Sequence, residues 1–136
     1  MKIGIDLVDS TYDLLNVPAV QVIMSGDIFP DGRPDNHRKE CITINSLPVT
    51  GEQLQRAVVN VNIHVPNLQL TINGQPDTSQ PNRKRLKVIS DIVIPLIKDA
   101  VINNTLTGIQ NVGMVNDKEI KEHFLNIRVS TYSINI

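Results

Sequence analysis

Apolar and polar residues alternate through residues 56–65, RAVVNVNIHV, with the two-residue period of a β-strand. Ala57, Val59, Val61, Ile63 and Val65 fall on one face, and Arg56, Val58, Asn60, Asn62 and His64 on the other. Successive strand side chains point to opposite sides, so the first face can enter a core while the second stays outside it. The second face carries neutral amides and a histidine, where a freely solvated strand would more often show Lys, Glu and Thr. Such a face suits contact with another protein surface, which makes Asn60, Asn62 and His64 candidate subunit-contact residues.

Residues 6–16 carry a helical pattern, in which Ile5, Val8, Tyr12 and Leu15 recur at helical spacing while Asp6, Asp9 and Asp13 lie towards the outside. Acids suit the positive end of the helix dipole. Pro18 opens a second short turn that Ser25-Gly26 ends. Short strands are expected at 27–30 and 41–45, separated by the turn-rich DGRPDNHRK. Residues 66–82 are rich in Pro, Asn, Gln, Thr and Ser, and loops of that length tend to be functional or disordered. Leu68, Leu70 and Ile72 alternate there just before Asn73-Gly74, a favoured hairpin turn, so a projecting arm is expected. The main helix is expected over 83–103, with Asn82 as N-cap and a kink at Pro95. Strands at 109–115 and 124–136 close the chain, with Leu125, Ile127 and Val129 on one face and Phe124, Tyr132, Ile134 and Ile136 on the other. The order predicts one α+β domain over 1–136. Its sheet is mainly antiparallel, with an N-terminal helix and one long central helix packed on one face.

Composition narrows the function. The 136 residues are 40% apolar but only 3% aromatic, so the core must be aliphatic. A net charge of −1 argues against a dedicated nucleic-acid binder. The single Cys41 excludes an intramolecular disulfide. No apolar run approaches the length of a signal peptide or a membrane span, which predicts a soluble, unexported protein.

Candidate chemistry is sparse. His37, His64 and His123 are scattered without metal-ligand spacing, and surface or interface histidines are the simpler reading. Cys41 begins a strand with no glycine-rich turn to expose it, so a packed thiol is expected. The acids Asp27, Asp31, Asp35 and Glu40 fit no calcium loop. Arg83, Lys84, Arg85 and Lys87 form the one notable charge run; they are candidates for contact with DNA or an acidic partner, with a solvated helix start as the bland alternative. No catalytic, cofactor or metal site is expected, and the chain reads as a non-enzyme.

The layout as a whole resembles the tail-completion, or tail-terminator, proteins of long-tailed phages and prophages. The resemblance runs through an N-terminal helix ending in LLNVPAV, a turn at Ser25-Gly26, a strand with a proline at Ile28-Phe29-Pro30, and strands at 41–45 and 56–65. It continues through a variable loop, a helix at 86–101 and a closing HFLNIRV segment at 123–129. It implies a virion structural protein made in the bacterial host cytoplasm. Such proteins form a ring, typically a hexamer, at the head-proximal end of the tail, where the ring stops tube growth and joins the tail-tube protein to the head connector. DNA would pass through the ring, and no cofactor is implied. A ring needs two different contact surfaces per subunit. The Asn60/Asn62/His64 face, or the exposed side of Tyr132, Ile134 and Ile136, would supply one, and the Leu68, Leu70 and Ile72 arm the other. The alternatives are another virion component, such as a tail-tube or baseplate adaptor, a small nucleic-acid-binding module using Arg83–Lys87, and an enzyme built on residues that converge only in the fold.

Overall fold

The computed structural model describes residues 1–134; Ile136, expected on the last strand, lies outside them. The chain runs α1 (Gly4–Leu15), α2 (Pro18–Ile23), β1 (Ile28–Pro30), β2 (Cys41–Ser46), β3 (Leu54–Pro66), β4 (Leu70–Ile72) and β5 (Gln75–Asp77). Then come α3 (Arg83–Ile97), β6 (Val101–Ile102), β7 (Thr105–Asp117) and β8 (Glu122–Ile134). Six strands form one sheet in the order β1-β2-β3-β8-β7-β6, and β4 with β5 forms a separate hairpin. All pairings in the six-stranded sheet are antiparallel except β1 with β2. The expected α+β class, with a mainly antiparallel sheet, is the class observed.

The period-two pattern of β3 decides which side becomes core. Val59, Val61 and Ile63 pair with Val129, Ile127 and Leu125 of β8, and Val61 and Ile63 with Ile44 and Ile42 of β2. Leu7, Val8 and Leu15 of α1 and Leu86, Ile89, Val93 and Ile97 of α3 pack on that side. Burying one such aliphatic side chain is worth about 1.5–3 kcal/mol, so the helical stripes are fixed to this face. Buried Gln55 ties the N-terminus to β3. Its Oε1 accepts from the Lys2 amide and its Nε2 donates to the Lys2 carbonyl, both at 2.9 Å.

Asn82 caps α3 as expected, its Oδ1 accepting from the Arg85 amide at 3.2 Å. The end of that helix differs from the expectation. It stops at Ile97, two residues past Pro95, instead of kinking and running on to 103. Lys98 is extended, and Asp99 turns into the left-handed region at φ 53°. Val101 and Ile102 then form a strand closed onto β7 through Asn103 and Asn104, both at positive φ. Two successive positive φ angles make the tight hairpin turn that asparagine tolerates best. Asn73 (φ 51°) and Gly74 (φ 75°) make the same turn between β4 and β5.

Strand β7 is longer than expected and partly uncovered. It bulges between Ile109 and Asn111, and residues 110–116 are exposed. Strand β6 covers only Thr105 and Leu106 of its outer edge.

Candidate functional site

The side of the sheet away from the helices is the surface with functional potential. Its three zones are set by strand register. At one end Leu54 pairs with Ile134 and Arg56 with Tyr132, which in turn neighbours Leu106. All but Arg56 are large exposed apolar side chains, and the Arg56 guanidinium lies 5.7 Å from the centre of the Tyr132 ring.

The middle zone is an amide ladder. Asn126 Nδ2 donates to Asn62 Oδ1 at 2.7 Å and to Asn60 Oδ1 at 3.3 Å. Arg128 stands opposite Asn60 in register, and its buried Nε meets no acceptor among the described residues.

The far end is a closed polar network that sequence reasoning missed. His64 Nδ1 lies 2.9 Å from Glu122 Oε1, and His64 Nε2 lies 2.9 Å from the Thr43 hydroxyl. With Nδ1–H donating to the carboxylate, Nε2 accepts from the Thr43 O–H. Arg33 also donates to Glu122 Oε1, while its other terminal nitrogen reaches Cys41 Sγ at 3.6 Å. Burial pushes the Glu122 carboxyl up, but the hydrogen bonds from His64 and Arg33 and the Arg33 charge outweigh it and hold the group below the ordinary range. Burial raises the Cys41 thiol despite Arg33 beside it. The Thr43–His64–Glu122 order imitates a nucleophile, base and orienter. Yet Thr43 is 7% and Glu122 1% exposed, so the hydroxyl offers a substrate no approach. The arrangement locks β2, β3 and β8 together and turns His64 inward.

The basic run does not stay together. Arg85 donates to Glu40 Oε2 at 2.9 Å and to the Ile23 carbonyl, which ties α3 to α2. The Arg85 hydrogen bond, helped by the Ser25 amide, holds the Glu40 carboxyl low against its burial. Lys87 pairs with Asp91 one turn on, while Arg83 and Lys84 are exposed. Leu68, Leu70 and Ile72 are also exposed, on and beside the β4–β5 hairpin. The base of that hairpin is held by His123 Nδ1, 2.6 Å from Asn67 Oδ1, and by the Asn67 amide donating to the Lys121 carbonyl. Among the described residues, no three His, Cys, Asp or Glu side chains gather in a group that could hold a metal. No described helix is long and apolar enough to cross a membrane.

The architecture has a counterpart among solved structures. The chain is similar to a chain of the virion of a native gene transfer agent particle, with a TM-score of 0.55 and 95% of each chain covered. Identity is 8%, so what is shared is the fold. No protein-family model matches the sequence, and no curated protein matches it.

Glu122, Arg33 and Thr43 were not legible as a group, because Arg33 and Glu122 are 89 positions apart in sequence. One local sign existed: Glu122 and His123 open a strand whose continuation is apolar on the core face.

Proposed function

We propose that this chain is a structural, non-catalytic component of a phage-like virion. In this reading copies of it form a ring at the head-proximal end of the tail, which ends tube growth and joins the tail-tube protein to the head connector. The observation that carries the virion reading is the likeness, over nearly the full length of both chains, to a chain of a virion particle. The ring reading draws support from the surfaces. A sheet with helices on one side leaves a whole second face for contact, and the hairpin adds exposed Leu70 and Ile72 away from the core. Asn60 and Asn62 keep partial exposure there and present amides to a neighbour.

The test is genetic and microscopic. Removing the chain from a particle-producing host should leave heads unjoined to tails, with tails of irregular length in negative-stain images. Intact particles of normal tail length, or absence of the chain from purified particles by mass spectrometry, would sink the proposal. Labelled antibody bound at the distal end of the tail would favour a tube or baseplate adaptor instead. The nucleic-acid reading loses support from Arg85 and Lys87, whose charges are already engaged by Glu40 and Asp91.

A further inference from the structure

Two arginines, Arg56 and Arg128, project from the open face of the sheet in its apolar and amide zones. The acids that β7 and β8 place on this face, Asp117 and Glu122, pair with each other at its far end, and Glu122 is already engaged by Arg33 and His64. Between Arg56 and Arg128 the strands offer only apolar, amide, hydroxyl and glycine positions. Arg56 rests on Tyr132, and Arg128 Nε is buried without an acceptor among the described residues. Arginines in this state, Arg56 beside exposed Tyr132, Leu106 and Ile134 and Arg128 among the amides, are placed to receive carboxylates from a second surface.

The complementary surface lies on the opposite side of the same molecule. Helix α1 carries Asp6, Asp9 and Asp13 and no basic residue. Their i, i+3, i+7 spacing puts them in one stripe, and Leu7, Val8 and Leu15 turn that stripe outward by packing the other side of the helix into the core. Asp6 accepts the Ile3 amide at 2.8 Å, whereas Asp9 and Asp13 have no partner among the described residues. Exposed Ile5 adjoins Asp6 and lies one helical turn before Asp9. The stripe spans about 10 Å along the helix, and Arg56 and Arg128 are separated by about 13 Å along the strands. Two long arginine side chains bridge that difference.

We infer that a second copy of this chain docks by laying the acidic stripe of its α1 across the Arg56/Arg128 face. The contact is heterologous: each copy offers α1 to one neighbour and its open sheet to another. Such contacts close into a ring where the rotation between copies allows it, and otherwise run on as a filament. The inference deepens the ring reading by naming the two surfaces, and it fails separately from it. A chain found in particles without this self-contact would keep its virion role and lose this geometry.

Sedimentation equilibrium of the full chain at ~50 mM and ~500 mM salt tests it, because these concentrations bracket strong and weak screening. Self-association is expected at low salt and should weaken at high salt. Arg56→Glu with Arg128→Glu, or Asp9→Lys with Asp13→Lys, should each weaken it about tenfold or more. An equal mixture of the two double variants should regain it, because each copy's reversed surface then finds its complement. Arg56→Glu alone, at the rim of the face, replaces the first double variant if that one fails to fold. A wild-type chain monomeric at both salts would overturn the inference, as would association untouched by the reversals. So would a mixture that stays monomeric, or salt-sensitive retention of duplex DNA on the same arginines in place of self-association.

Discussion

At Gly26 the backbone leaves no space for a side chain: a Cβ there would fall 1.6 Å from the Glu40 carbonyl oxygen. The neighbour is main chain, so it cannot rotate away. Gly26→Ala is therefore expected to cost about 2–3 kcal/mol, read as a lower urea midpoint. Glu40 itself and Glu122 set the acid response. Both carboxyls are held below the ordinary 4.5 in the folded chain. Between the folded and unfolded values the unfolded chain binds more protons, so stability rises with pH there. The contribution of the two groups is complete above about 4.5 and drains as pH falls through their folded values. Glu122→Gln leaves half-buried Arg33 and His64 facing a neutral amide and should destabilise by about 2–3 kcal/mol at neutral pH. The same variant should show a shallower loss of urea midpoint on acidification; an equally steep loss would place the acid response elsewhere.

At the scale of elements, legibility depends on how local the deciding force is. The faces of β3 are readable because alternation is a property of ten consecutive residues, and the Asn73-Gly74 turn because its chemistry sits in two. Pro95 is recognisable in the sequence as a helix disruptor, but whether a proline kinks or ends a helix depends on the pairing open to the residues beyond it. Here Asp99 and the Asn103-Asn104 turn let Val101 and Ile102 pair with β7. The bulge and exposed outer half of β7 have no local sign at all. That half matters for solubility, since residues 107–116 of this edge strand carry no charge and no proline. Val112, Met114 and Val115 are exposed on it. Natural edges are usually blunted by charge or proline, and an unblunted one invites pairing with another chain. Met114→Lys should therefore change the urea midpoint by less than about 0.5 kcal/mol equivalent. It should also slow turbidity growth when the protein is concentrated or warmed.

For the molecule as a whole, the division of labour is between a core built on one face of the sheet and surfaces left over for assembly. The core joins α1, α3 and strands of the six-stranded sheet, and none of its buried members comes from β4 or β5. Among the described residues the hairpin is tied down at its base, by Asn67 to Lys121, Thr78 and His123 and by Leu68 to Gln80. An isolated two-stranded hairpin is marginal in water, so Leu70–Asp77 contributes little to global stability. Replacing it with a short Gly/Ser turn that keeps Asn67 should leave the thermal midpoint within about 4 °C of the parent, a shift equivalent to roughly 1–2 kcal/mol for a chain of this size. If the exposed Leu70 and Ile72 serve assembly, as the ring reading holds, particles made with the shortened chain should show unjoined heads and tails while the purified variant still folds. A variant that unfolds would place the hairpin in the core after all. One that folds and joins heads to tails normally would remove it from the assembly surfaces, leaving the open sheet face and α1 to carry them.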